Sequence, residues 1–316
     1  MFGMHPENSY RERSVTFRPA YLSLSKDELA RRVREAYHRL ESCDLCPRAC
    51  GVNRREAPKG VCRTGERARV ASYHPHFGEE APLVGLHGSG TIFFSWCNLK
   101  CQYCQNYELS QMGEGDEVGP EELATMILHL QALGCHNINF VSPSHVVPQI
   151  LAGVLIAVQA GLRVPLVYNT GGYDALETLK LLDGVFDIYM PDMKYADESV
   201  ARRLSLVENY PAVNRAAVAE MHRQVGDLCL DERGIALRGL LVRHLVLPED
   251  LAGTAGGMSW LAAEISRDTY VNIMAQYRPC YRAGEYPGLG RRITHAEYTA
   301  AMQAARQAGL HRFDKE

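Results

Sequence analysis

Seven of the ten cysteines fall between Cys43 and Cys104, in two sets of different geometry. Cys97, Cys101 and Cys104 follow C-x3-C-x2-C spacing within Phe94-Ser95-Trp96-Cys97-Asn98-Leu99-Lys100-Cys101-Gln102-Tyr103-Cys104-Gln105-Asn106. They come just after an apolar run that reads as a strand. The C-terminal end of a strand is where α/β proteins build their sites. Three thiols are one short of a closed structural zinc site. They suit a four-iron cluster gripped through three irons, whose fourth iron stays open to a small molecule. The competing structural roles are a zinc knuckle completed by a distant ligand, or three buried thiols.

The second set is C-x2-C-x3-C-x11-C: Cys43, Cys46, Cys50 and Cys62. Its segment is rich in Cys, Arg, Gly and Pro and poor in large apolar residues, so it has no hydrophobic core of its own. Four thiolates make a complete tetrahedral set, and metal binding would replace the missing core. Zinc and an auxiliary iron–sulfur cluster both fit. No apolar leader segment stands between Met1 and Pro19. A cytoplasmic location is therefore the expectation, and two disulfides are the weaker reading. Cys135, Cys229 and Cys280 stand alone and read as ordinary buried thiols, Cys280 lying near the end of the last strand. His74 and His76 read as surface loop residues before the first strand.

The elements that must position these thiols follow from the pattern. In 316 residues, 34 basic and 37 acidic side chains leave a net charge of −3. That argues against a dominant nucleic-acid footprint. The stretch 123–162 lacks Asp, Glu, Lys and Arg, but Pro143 and Pro148 interrupt it and its purest apolar part is too short to span a membrane. Residues 1–24 read as an extended arm. A capping box, Ser25-Lys26-Asp27-Glu28, then opens a helix that delivers the chain to Cys43. From Gly90 onward, apolar strands are expected at 91–96, 138–141, 166–168, 186–190, 240–247 and 270–275. Helices are expected at 120–134, 148–161, 175–182, 197–206, 211–225 and 259–266, with a last one from the second capping box at Thr294 to Gly309. Such alternation predicts an α/β fold with a parallel sheet covered by helices. An open six-stranded barrel and a doubly wound sheet both fit. A hairpin is expected at 227–238.

The strand-end motif C-x3-C-x-aromatic-C resembles the signature of the radical S-adenosylmethionine (SAM) superfamily. Cys-Asn-Leu-Lys-Cys-Gln-Tyr-Cys-Gln-Asn resembles the activating enzyme of pyruvate formate-lyase in particular. Cys-Asp-Leu-Cys-Pro-Arg-x-Cys-Gly resembles the N-terminal element of the related PflX-type family. The resemblance runs from about Cys43 to the C-terminal helix. It implies a partial (β/α)6 TIM-like barrel with an N-terminal Cys-rich metal-binding extension. The divisions would be an arm and helix over 1–42, a four-Cys element over 43–70, a radical SAM core over 85–282 and a C-terminal helix over 283–316.

The resemblance also implies a chemistry. A 4Fe–4S cluster on Cys97, Cys101 and Cys104 would bind SAM and cleave it reductively to methionine and a 5′-deoxyadenosyl radical, which abstracts a hydrogen atom. Tyr103 would lie against the adenine. Asn169, Thr170 and Asp192 would help hold the SAM carboxylate, directly or through a monovalent cation, with Lys194 and His244 lining the same mouth. The family's Gly-Gly-Glu after the second strand is replaced by Val141-Ser142-Pro143-Ser144-His145, where Ser142, Ser144 or His145 would accept from the SAM ammonium. Asn169 stands where the activating enzyme has an acidic residue. A flavodoxin or ferredoxin-type electron donor is implied. Three functions follow for comparison: activation of a glycyl-radical protein, radical modification of a peptide or small metabolite, and non-catalytic metal binding in an interaction protein. Nucleic-acid and membrane partners are not expected.

Overall fold

A computed structural model describes residues 17–57 and 60–314. Of the arm expected over 1–24, residues 1–16 lie outside the described chain. The remainder holds a 3-10 turn, Ala20–Ser23, whose Tyr21 is buried and donates its hydroxyl to the Val164 carbonyl. Helix α1 (Lys26–His38) starts as the sequence predicts, with the Ser25 side chain accepting from the Glu28 N–H. The Glu28 carboxylate is engaged by Arg31 and Arg32.

After the four-Cys segment come β1 (Ala68–His76), α2 (Ala81–Val84), β2 (Ser89–Phe94), α3 (Tyr107–Ser110), β3 (Asp116–Val118) and α4 (Pro120–Ala132). Next are β4 (Ile138–Val141), α5 (Val147–Gln159), β5 (Leu166–Thr170), α6 (Leu176–Leu181) and β6 (Ile188–Pro191). Then follow α7 (Glu198–Ser205), α8 (Tyr210–Val225), β7 (Cys229–Leu230), β8 (Ala236–Leu245), α9 (Thr254–Trp260), β9 (Tyr270–Met274), α10 (His295–Gln307) and β10 (Arg312–Phe313).

The sheet order is β10-β9-β8-β6-β5-β4-β2-β1-β3, with β7 pairing β8 as the expected hairpin. Every neighbouring pair from β2 to β9 along this path is parallel. Their order follows the chain without reversal. A doubly wound sheet reverses at a switch point, so the alternative left open by the sequence is settled in favour of the unclosed partial barrel. Strands β1, β3 and β10 were not expected. His74 and His76 therefore correct the loop assignment: both lie on β1, opposite Thr91 and Ser89 of β2. Pro75 between them hid the strand, because proline argues against an interior strand.

Strand parity sorts the interior. Tyr168, Tyr189, Leu240 and Val271 join the large core beneath the helices. Their neighbours Val167, Ile188, Leu241 and Tyr270 form a separate cluster with Leu83 of α2. Successive strand side chains point to opposite faces, so the second cluster floors the inside of the barrel. Among the described residues, no helix is long and apolar enough to cross a membrane.

Candidate active site

Beyond β2 the chain turns sharply at Trp96, which has φ +66°. The following loop is held by backbone bonds from Lys100 N–H to the Ser205 carbonyl and from Gln102 N–H to the Leu204 carbonyl, at 3.1 and 2.8 Å. Leu99, Cys101 and Tyr103 sink into a cluster with Tyr173, Tyr195, Tyr210 and Tyr277. The cysteine loop thus rests on a core of its own. Tyr103 is tied into it: its hydroxyl meets that of Tyr195 at 2.7 Å, and its ring stands edge-on to Tyr195 and Tyr277.

The three thiols differ in setting. The Cys101 sulfur is buried and accepts from Ser205 Oγ at 3.0 Å. Cys104 lies 3.1 Å from Ser110 Oγ, and Cys97 accepts from the Leu99 N–H at 3.4 Å. Burial pushes the Cys101 thiol up to about 12 and raises Cys97 as well. Such thiols are poor nucleophiles on their own; deprotonation would come with a bound cation. This favours metal ligation over covalent cysteine catalysis.

The strand ends gather a charged group above the loop. Asp192 follows β6 and pairs with both Lys194 and Arg243, the latter through Nε at 2.9 Å. Arg243 also donates from Nη2 to Asn169 Oδ1 at 2.8 Å. Burial alone would raise the Asp192 carboxyl, but Arg243 and then Lys194 hold it below its ordinary value. Asp192, Lys194 and Arg243 line a cavity of about 190 Å³ together with Cys101, Tyr103 and Cys104.

Arg243 was missed by sequence reasoning, which took its neighbour His244. An arginine inside an apolar strand was the available signal, and strand parity decides between the two. His244 faces outward, with Nδ1 on the Met193 carbonyl at 2.7 Å and Nε2 on Thr254 Oγ1 at 2.9 Å. Its place is the packing behind β8, away from the mouth. Ser144 and Thr170 join their hydroxyls at 3.0 Å, and Thr170 donates to Asp174 at 2.7 Å, so both are occupied in a buried network. Ser142 adopts φ +59°, its N–H donating to the Asn169 carbonyl. His145 turns to the Ser95 carbonyl at 3.0 Å, and burial pushes it down to about 3.

Gly172 fixes this edge. At φ +74°, an added Cβ would stand 2.1 Å from the Asp192 carbonyl oxygen and 2.2 Å from Asn214 Nδ2. Gly172→Ala should therefore destabilise the fold by about 2–4 kcal/mol, from left-handed backbone strain plus overpacking. Urea unfolding measures this; a change below ~0.5 kcal/mol would contradict the geometry.

The four-Cys element is organised by Arg54. Its guanidinium, almost wholly buried, donates to the carbonyls of Thr64, Gly65 and His145 and approaches the Cys43 sulfur at 3.7 Å. Cys43, Cys46, Cys50 and Cys62 line one narrow cavity with Arg54, Asn98 and His145. Arg48 donates to the Asn98 carbonyl, and Asn98 Nδ2 to the Tyr173 carbonyl. These bonds join the element to the loop that carries Cys97 and Cys101. Among the described residues, no three His, Cys, Asp or Glu side chains are drawn tightly enough around a point for a single metal ion. The fit to a metal group therefore rests on donor chemistry, on the one cavity that all four N-terminal cysteines line, and on the cavity that Cys101 and Cys104 share. A four-iron cluster spreads its thiolates over separate irons.

The family description "Radical SAM superfamily" matches residues 91–229, a span that opens in β2 and includes the three-cysteine loop and the Asp192 strand end. The chain belongs to the radical SAM superfamily. It is 32% identical over 277 residues to the uncharacterized protein MJ0674 of Methanocaldococcus jannaschii, covering 85% of this chain and 76% of that one. A second protein of that organism, uncharacterized protein MJ0808, is 25% identical over 157 residues, 44% of this chain and 46% of that one. Among solved structures, HydG, a maturase of the FeFe-hydrogenase, is similar at 12% identity and TM-score 0.49, covering 92% of this chain and 64% of that one. Methylornithine synthase (PylB) is similar at 13% identity and TM-score 0.45, covering 93% and 83%. This radical SAM protein thus shares with its superfamily the use of a 4Fe–4S cluster and SAM.

Proposed function

We propose that Cys97, Cys101 and Cys104 hold the radical SAM cluster and that Asn169, Asp192, Lys194 and Arg243 form the polar cradle for SAM beside it. The observation carrying this reading is the single cavity lined by Cys101, Cys104, Asp192, Lys194 and Arg243. Bound there, the cluster supplies the electron that splits SAM into methionine and a 5′-deoxyadenosyl radical. The chain's own residues orient SAM and exclude water. Tyr103 and Leu99 wall the loop, and the Asp192–Arg243–Asn169 network presents paired charges to the amino-acid end of SAM. At the sequence position of the Gly-Gly-Glu carboxylate, Ser142, Ser144 and His145 carry no negative charge.

The oxidoreductase reading takes its electron from a flavodoxin or ferredoxin-type donor. Likeness of the cysteine segments to the PflX-type family makes a protein glycine the first substrate to test, in the manner of a glycyl-radical activating enzyme. Anaerobic incubation with SAM, donor and a glycyl-radical partner should give the organic radical by electron paramagnetic resonance. SAM cleavage with every such partner radical-free would assign the chain to the alternative, radical modification of a peptide or small metabolite. Cys43, Cys46, Cys50 and Cys62 are proposed as the ligands of a second metal group, zinc or an auxiliary iron–sulfur cluster; zinc would require the four thiols to draw closer than they stand here, and metal analysis decides between the two.

Asp192→Asn should raise KM for SAM about 10-fold or more while changing kcat less. It removes the anion that neutralises Arg243 and Lys194 in the bound and transition states alike. Steady-state 5′-deoxyadenosine formation measures both constants; an unchanged KM would remove Asp192 from the cradle.

A further inference from the structure

Beside the SAM mouth, toward the open edge of the barrel, the wall is polar and incompletely satisfied. A second cavity, of about 570 Å³, is lined by Glu79, Glu80, Asn272, Arg243, Met274 and Gln276, among others. Arg243, Met274 and Gln276 also line the mouth, so the two cavities share a wall. Glu79 and Glu80 enter from the segment between β1 and α2 and reach across to the opposite strands.

Glu79 Oε1 meets His76 Nδ1 at 3.1 Å, and its Oε2 lies 3.5 Å from Asn169 Nδ2 and 3.9 Å from Arg243. Glu80 Oε1 accepts from Asn272 Nδ2 at 2.9 Å and lies 3.9 Å from Arg243 Nε. Its other oxygen, Oε2, is buried with no partner, in a residue only 4% exposed. A second orphan lies on β4. Asn139 of β4 is fully buried, and neither its Nδ2 nor its Oδ1 has a partner. Its neighbours Ile138 and Phe140 point into the helix-covered core, so by strand parity Asn139 faces the barrel interior.

Buried polar groups in native proteins are normally paired, and an unpaired one calls for a missing partner. The charges indicate which. Three carboxylates, Glu79, Glu80 and Asp192, face two fixed cations, Arg243 and Lys194, and His76 pairs with Glu79. Both cations bond or approach Asp192 first. Burial raises the Glu80 carboxyl, and Arg243 at 3.9 Å opposes this only in part. A cationic hydrogen-bond donor entering the chamber would reach Glu80 Oε2 after a small turn of the carboxylate, with no existing bond at that oxygen to displace.

We propose that Glu80 anchors a basic nitrogen of the substrate, an ammonium or guanidinium, in this cavity beside the point where SAM is cleaved. This rests on the radical SAM reading above and names the substrate class for it. The SAM ammonium is the other source of the same chemistry, and the experiment separates the two.

The test uses the reconstituted protein under anaerobic conditions with SAM present. Equilibrium dialysis measures binding of n-butylammonium and n-butylguanidinium, with valeramide as the neutral comparison. Wild-type protein should bind at least one of the two cations saturably and 1:1, and valeramide not at all. Glu80→Gln, which keeps the shape and the Asn272 bond, should weaken cation binding at least about 10-fold, as loss of a buried charge partner does, with SAM affinity unchanged. Circular dichroism and the unfolding midpoint of Glu80→Gln check that the fold is intact. No saturable cation binding, equal binding by Glu80→Gln, or a Glu80→Gln defect confined to SAM would each overturn the proposal. If SAM cleavage persists in any of these cases, the radical SAM reading stands and only the chamber assignment falls. If wild-type protein cleaves no SAM, that reading fails separately.

Discussion

Replacing any one of Cys97, Cys101 and Cys104 with Ala is expected to reduce SAM cleavage at least about 100-fold, to background. Changes in the outer shell of a metal site cost 10–100-fold, and loss of one of only three protein ligands should exceed that range. The three positions are not equivalent in packing. Cys101 is buried beneath Ser205 and within the tyrosine cluster, so its replacement also opens a cavity. Cys97 and Cys104 are partly exposed, and their variants should keep the fold. Iron content is the accompanying readout: each variant should lose the site's iron while Cys229→Ala, at an exposed strand of the hairpin, keeps it. Equal iron and equal cleavage in Cys97→Ala would contradict the ligand assignment.

Arg54→Ala should be the most damaging change outside that loop. The guanidinium is 1% exposed and holds three carbonyl groups from two parts of the chain, Thr64 and Gly65 within the element and His145 after β4. Removing it leaves those acceptors buried and unpaired and empties the volume beside Cys43. We expect a loss of about 3–5 kcal/mol, the range for stripping a buried hydrogen-bonded charge. Arg54→Lys keeps the charge but not the planar fork and should recover less than half of the loss. Urea unfolding gives the energies, and limited proteolysis within 43–66 reads release of the element. A variant as stable as wild type would mean that the element is held by something other than Arg54.

The sequence made the parallel strands legible because each is a short apolar run bounded by Gly, Pro or a polar cluster. Cys97, Cys101 and Cys104 were legible because their spacing is local. Side-chain direction was not. His244 and Arg243 are adjacent in one strand, and only the pairing of Asp192 with Arg243 and of Met193 with His244 settles which faces the mouth. Glu79 and Glu80 were invisible for another reason. They lie in a segment with no element signal and become interior residues only when β1 pairs antiparallel with β2 and folds the segment beneath the barrel. The setting of Tyr103 was not legible either, because nothing local to the cysteine loop signals a core. Four other tyrosines, distant in sequence, build one around it.

The central claim is that this radical SAM protein cleaves SAM reductively at Cys97, Cys101 and Cys104. The most direct measurement reconstitutes the purified protein anaerobically with iron and sulfide, then adds dithionite and SAM. 5′-Deoxyadenosine and methionine are quantified against a variant with all three cysteines changed to Ala. The account predicts equal amounts of the two products from wild-type protein and neither above background from the variant. Product formation of equal size in both proteins, or none in a wild-type protein that carries its full iron, would contradict it.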